Sequence, residues 1–282
     1  MSATPDDQFR FINLLALELN NGDISLPSLP DVVIKIRNML ENDSSDFDQI
    51  SKAVSVDPVL VSKLFVFANS ALYNRAGVTI DTLDGAIGRL GFEVVRNTAM
   101  SIAMEQLYAA EKHSHAKKYL QAAWARGMKL SSMGWAVARC RKSLNDETAF
   151  LAGLMHDVGT LYIITKTDEF PNLLGDQASF NEIVQQWNPQ IGKSIIESWG
   201  FNEEMCESAD VASYMADSEN GAEEPKLVDA MYVAELLVDD QDESLDLSEI
   251  PSARRLGINK DTIGDVLENY RNKLQTMQAS LA

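Results

Sequence analysis

With 282 residues, 45% of them hydrophobic and 23% charged, the chain has the composition of a globular protein and the length to bury one large core or two ordinary ones. It carries 42 Asp and Glu against 24 Lys and Arg, and a net charge of −18 argues against nucleic acid as a partner unless a basic face is segregated from the acids. No apolar run approaches the roughly 18–20 residues that span a bilayer, and the polar, acidic first ten residues lack the order of a secretory signal. The expectation is a cytoplasmic protein with no membrane partner.

Almost every segment reads as helix. Residues 9–19 set Phe11, Leu14, Leu15 and Leu19 at helical spacing, and this first helix is expected to cap the domain or to offer a self-association surface. Leu26-Pro27-Ser28-Leu29-Pro30 predicts a stiff extended connector, because each proline disfavours helix in the residue before it. Asp31 then caps a helix whose buried stripe is Val33, Ile36, Met39 and Leu40. Asp46 and Gln49 have capping-box spacing, and Asp57-Pro58 supplies an N-cap and a first-turn proline for a helix reaching Ser70. Gly77 marks a break, Asp81 or Thr82 opens the next helix, and Gly91 stops it.

Residues 92–108 and 116–141 carry the longest helical patterns. Asn145 or Asp146 opens a helix that ends at His156-Asp157. Past Pro171 the pattern predicts helices over 179–187, 189–199, 203–215, 225–238 and 260–279. The brief apolar run at 161–164 fits a helix after Gly159 better than a strand, so the fold class is all-α. Cys140 and Cys206 lack metal or redox spacing and are expected as free core thiols; Trp124, Trp135, Trp187 and Trp199 are expected as packing. The acidic runs at 217–224 and 239–243 read as solvated loops. Residues 48–69 have the length of a helix-turn-helix, but the second helix is mostly apolar and offers only Lys63, too little to read base edges.

The informative motif is Ala152-Gly153-Leu154-Met155-His156-Asp157-Val158-Gly159. An adjacent His-Asp pair at a helix end is a way to present two ligands to a divalent metal, and a catalytic site needs further imidazoles or carboxylates from other helices. The chain has only three histidines. His113 and His115 are i and i+2, which face apart on a helix, and His115 lies eleven residues before Arg126, roughly 16 Å along a helix axis.

Together with Leu29-Pro30, the Asp57-Pro58 segment, Ala68-Asn69-Ser70 and Ala86-Ile87-Gly88-Arg89-Leu90-Gly91, this motif resembles the HDOD (HD-related output domain) family of bacterial signalling proteins. The resemblance covers about residues 26–215. It implies a two-lobed helical domain, a non-catalytic relative of the HD metal-dependent phosphohydrolases. Residues 1–25 then form an N-terminal helix, 26–108 a helical lobe, and the HD-like lobe starts near 113, with 216–282 continuing it. The resemblance further places the first histidine ligand of the active enzymes at Arg126 or its neighbour, later ones at Asn188 and at Ala212-Ser213, a phosphate-facing lysine at Thr160, and the last Asp ligand at Glu235. The residual metal candidates are thus His156, Asp157 and Glu235, with Arg126 and Asn188 as pocket residues.

Three functions follow from these residues. The first is a regulatory domain that acts through protein partners, with no cofactor expected, no catalytic residues, and self-association open. The second is a metal-dependent phosphohydrolase with an altered ligand set. The third is a nucleotide or second-messenger sensor with Arg126 or Arg96 as a phosphate clamp. No receiver, kinase or cyclase module is expected, so a signal would come from a separate partner.

Overall fold

Caps and glycines at the helix ends set the boundaries of the fold. The structure, a computed structural model, describes residues 4–24, 26, 31–40, 47–109, 116–211, 213, 224–239 and 247–281. Helix α1 (Pro5–Asn21) opens with a Thr4–Asp7 capping box and closes at Gly22. After α2 (Asp31–Leu40) and α3 (Phe47–Val54), Asp57 accepts from the backbone N–H groups of Val59 and Leu60 to start α4 (Pro58–Asn69). Thr82 caps α5 (Leu83–Leu90), and Gly91, at φ +78°, both ends it and begins α6 (Phe92–Tyr108). Helix α7 (Lys117–Ala138) is followed by α8 (Asp146–Met155), capped by Asn145, and by α9 (Val158–Lys166). The chain continues through α10 (Gln177–Ser198), α11 (Glu203–Glu207), α12 (Leu227–Asp239), α13 (Pro251–Leu256) and α14 (Ile263–Leu281). No strand occurs among the described residues, and the protein is all-α.

Several boundaries differ from the pattern. The break expected near residue 188 is absent: α10 runs straight through Pro189. An interior proline costs about 3 kcal/mol, but Ile183 before it and Ile191, Ile195 and Ile196 after it are all buried, and α10 packs along α9. Tertiary burial overrides local propensity there. The helix expected over 203–215 is interrupted: α11 ends at Glu207, a turn follows, and Val211 and Ser213 are helical again, while α7 stops at Ala138 rather than 141. Asp31 is the first residue of α2, not its cap. The six-residue α13 is too short to show a period. It is held by Asp229 on α12, which accepts from Ser252 Oγ at 2.6 Å and from the Arg255 guanidinium. Both cysteines are free, but only Cys206 is buried, since Cys140 lies half-buried past the end of α7. The connector at 27–30, Asp46, His113, His115, Ala212 and the acidic runs at 217–223 and 240–243 lie outside the described residues.

Helix α7 forms the axis of the core, with α8, α12 and α14 packed around it. Helix α8 comes close to α7 at Gly153, where a Cβ would stand 2.5 Å from the Ser131 backbone. Helices α2, α4 and α5 pack with α6, and α6 in turn meets α8. Helix α1 caps the α9–α10 side. Its Phe11 meets Phe170 edge-on at 5.3 Å, and its Glu18 accepts from Tyr162 Oη and Lys166 Nζ. Residues 146–169 would be long and apolar enough by composition to cross a membrane, an exception to the sequence reading. However, 83% of that window is packed inside the protein, as expected of two core helices.

A buried ionic cluster joins the two halves. Glu147 on α8 accepts from Lys273 Nζ of α14 at 2.9 Å, from Trp135 Nε1 of α7 at 3.0 Å and from Asn97 Nδ2 of α6 at 2.8 Å. Lys273 also donates to Tyr73 Oη at 2.9 Å and sits 4.7–5.5 Å from the ring centroids of Trp135, Phe150 and Tyr73. Trp135 is therefore a hydrogen-bond donor as well as packing. Burial works against the Glu147 carboxylate, but Lys273, Asn97 and Trp135 outweigh it and hold its pKa below the ordinary value.

Two predictions follow from this cluster. Lys273→Met leaves Glu147 charged and unpaired, and should lower unfolding free energy by about 3–5 kcal/mol in urea titrations; adding Glu147→Gln should recover part of the loss. The depressed carboxyl stabilises the fold above the ordinary Glu pKa, and that contribution disappears as pH falls through the lower folded-state value. Stability measured from pH 6 down to about pH 3 should thus decline in the wild type, with a shallower slope in Glu147→Gln.

Candidate functional site

The His-Asp pair forms the elbow between α8 and α9. The chain turns there because α8 must pass Ser131 at Gly153 while α9 crosses α10 at Gly159, where a Cβ would stand 2.4 Å from the Asn188 carbonyl oxygen. Both motif glycines are thus places of close helix contact. His156 and Asp157 are buried, at 4% and 5% exposure, at the head of a cleft of about 540 Å³ between α7, α9, α10 and α12.

Arg126 of α7 organises this cleft. Its Nη1 donates to both oxygens of Asp157 at 2.7 Å, and its Nη2 reaches Glu235 at 3.2 Å and Asp239 at 2.6 Å. Its Nε donates to the other oxygen of Asp239 at 3.1 Å. Glu235 and Asp239 lie one turn apart on α12, so both carboxylates point the same way. One guanidinium therefore draws in three carboxylates. Burial opposes the charge on Asp157, yet His156 and Arg126 prevail and lower its pKa. The Arg126 pKa is raised in turn: burial pulls against it, and Asp157 and Asp239 overcome that pull.

His156 makes weaker contacts. Its Nδ1 is 3.5 Å from Asp157 Oδ1 and its Nε2 is 4.0 Å from Glu235 Oε1. Neither ring nitrogen has a hydrogen-bond partner among the described residues. Burial lowers its pKa, but the facing carboxylates of Asp157 and Glu235 carry it above the ordinary histidine value.

The pair does not satisfy the start of α9 with its own side chains; Asn188 does. Asp157 makes no side-chain cap bond to α9. Asn188 Oδ1 accepts from the backbone N–H of Thr160 at 2.8 Å, and its Nδ2 donates to the His156 carbonyl at 3.3 Å. It ties the start of α9 to the end of α8 because Asp157 is committed to Arg126.

Of the other sequence candidates, Glu235 and Thr160 line the cleft. Ser213 is exposed and bonded to Asp210, and Arg96 pairs with Glu93 on its own helix. Arg126 does reach the cleft, but every guanidinium nitrogen already meets a carboxylate, which leaves no fork for a phosphate. Asp239 was missed, being counted with the acidic run that follows it; its i+4 spacing from Glu235 was the available signal. Among the described residues no three His, Cys, Asp or Glu side chains are grouped to hold a metal ion. The Arg126 guanidinium lies among the carboxylates of Asp157, Glu235 and Asp239.

A His-Asp elbow between core helices, heading a cleft in an all-α protein, defines a helical domain of the HD type. The HDOD domain family matches residues 26–213, and the chain belongs to that family. No curated protein matches it. Among solved structures it is similar to a candidate metal-dependent phosphohydrolase from Shewanella amazonensis SB2B, at TM-score 0.77 and 20% identity over 96% of this chain and 99% of that one. It is also similar to an HDOD domain protein of unknown function from Geobacter sulfurreducens, at TM-score 0.64 and 20% identity over 93% and 97% of the two chains. A candidate signal-transduction protein from Marinobacter aquaeolei VT8 matches at TM-score 0.63 and 19% identity, over 98% of this chain and 64% of that one. At these identities the likeness is one of fold.

Arg126→Ala should strand Asp157 in the core. With Arg126 itself 30% exposed, the expected loss is about 2–3 kcal/mol, below the range for a fully buried pair, read from urea midpoints. Arg126→Lys should recover less than half, since one ammonium cannot span Asp157 and Asp239 together.

Proposed function

We propose that this protein is a non-catalytic regulatory domain of bacterial signal transduction. It acts in the cytoplasm through protein partners, and its HD-type metal site is replaced by an internal cation. The observation that carries this reading is the position of Arg126. Its guanidinium takes the charge-neutralising role that a divalent metal would have among Asp157, Glu235 and Asp239. A catalytic metal needs an open coordination position for water, and a guanidinium offers none and activates no water. Membership of the HDOD family supports a regulatory role, as does the description of the Marinobacter protein as a candidate signal-transduction protein. The description of the Shewanella protein as a candidate phosphohydrolase favours the enzymatic alternative. A nucleotide sensor is the weaker reading, because three carboxylates against one arginine leave the cleft unfavourable to phosphate.

The test is metal content and turnover. Wild-type protein purified without chelator and offered Mn, Fe, Mg and Zn should hold no stoichiometric metal and should leave bis(p-nitrophenyl) phosphate intact. Arg126→His, which removes the internal cation and adds an imidazole, should gain measurable divalent-ion affinity. About one or two equivalents of metal in the wild type, lost in His156→Ala and accompanied by hydrolysis, would falsify the non-catalytic reading.

A further inference from the structure

A second cavity, of about 640 Å³, lies outside the HD-type cleft, between the end of α4 with the turn after it and the outer face of α14. One wall is Val66, Asn69, Ser70, Ala71, Leu72 and Arg75; the other includes Asn269, Asn272, Gln275 and Ala279. Residues 58–80 contain Lys63 and Arg75 and no acid, and residues 269–282 contain Arg271 and Lys273 and no acid. In a chain with 42 acidic residues, both walls of this groove are free of them, and its one charged lining residue is Arg75.

The side chains of Asn269, Asn272 and Gln275 rise at three-residue steps along one face of α14, and none makes a hydrogen bond among the described residues. Arg75 is exposed, and it too makes no ion pair or hydrogen bond there. A primary amide carries an acceptor and two donors, which complement the C=O and N–H of a peptide group. Apolar surface lies beside this ladder: Val66 is 45% exposed, and Val59, two turns earlier on the same side of α4, is 50% exposed.

We propose that this groove binds an extended peptide segment of a partner protein, apolar in character and carrying one acidic side chain. Asn269, Asn272 and Gln275 pair with the segment's main chain, Arg75 takes the carboxylate, and Val66, Leu72 and Ala279 receive the apolar side chains. From Asn269 to Ala279 the helix rises about 15 Å, the span of roughly four to five residues of extended chain. The charge pattern favours such a partner: the −18 surface repels acidic segments in general, whereas this groove offers Arg75 between two acid-free walls. The groove rests on the interaction role proposed above and gives that role a surface separate from Arg126.

The experiment is selection of a phage-displayed random hexapeptide library on the full chain, followed by fluorescence anisotropy with an enriched peptide. Enriched peptides should share one Asp or Glu among apolar residues. Binding should weaken about tenfold or more in Arg75→Glu and in Asn272→Ala, whose side chains are exposed and not needed for folding, and should stay unchanged in Arg126→Ala. N-methylation of a central backbone amide of the peptide should weaken it similarly. No enrichment, a requirement for Lys or Arg in the peptide, or binding indifferent to both groove variants would overturn the proposal. In the last case peptide recognition survives at another surface and only the groove assignment fails, while the metal and turnover assays judge the non-catalytic reading separately.

Discussion

The pairing of Lys273 with Glu147 is the contact on which the arrangement of helices most depends. Glu147 alone would be a buried carboxylate at the start of α8, and Lys273 alone a buried ammonium on the last helix. Each is tolerable only because the other is there, with the Trp135 indole, the Asn97 amide and the Tyr73 hydroxyl taking up the remaining hydrogen-bonding capacity. These five residues come from α6, α7, α8, α14 and the turn after α4. The cluster specifies where the C-terminal helix lies, against α7 and across to α4, and so brings together the two walls of the amide-lined groove. The same contact holds α8 in register on α7, and α8 delivers the His-Asp elbow.

The elbow repeats that logic in a less buried place. A carboxylate at 5% exposure requires a cation, and Arg126 supplies one from the neighbouring helix. Because a guanidinium is flat and carries five N–H donors, it can serve Asp157, Glu235 and Asp239 together, which a lysine could not. A side chain that is already ion-paired on every nitrogen is a poor phosphate ligand and no metal. The two clusters thus use one physical device, a cation introduced by one helix to neutralise carboxylates on others. At Glu147 the result fixes the packing of helices; at Asp157 it also sets the charge balance of the cleft.

Much of the fold was legible because the determining chemistry is local. The Asp57-Pro58 start of α4, the Thr82 and Asn145 caps and the Gly91 hinge all act within a few residues of themselves. The errors came where distant packing prevailed. Pro189 should have ended a helix and did not, since isoleucines on both sides of it are buried against α9. The functional site divides in the same way. His156-Asp157 stood out as a motif, and Arg126, Asn188 and Glu235 were reached through the family resemblance. Asp239 was hidden in an acidic run. Asn188 looked like a lost ligand and is a cap joining two helix ends, because that role exists only where α10 crosses the elbow.

By itself, then, the amino-acid order determined an all-α protein, the positions of most helix starts, and a His-Asp turn short of histidine partners. Those properties rest on capping, periodicity and composition, which operate over one or two turns of chain. Tertiary structure alone decided that Arg126 sits among three carboxylates, that Lys273 reaches Glu147 from 126 residues away, and that two acid-free segments face each other across a groove. Charges far apart in sequence interact only after packing has brought them within a few ångströms and removed the water between them, and neither the spacing nor the burial is written in local pattern.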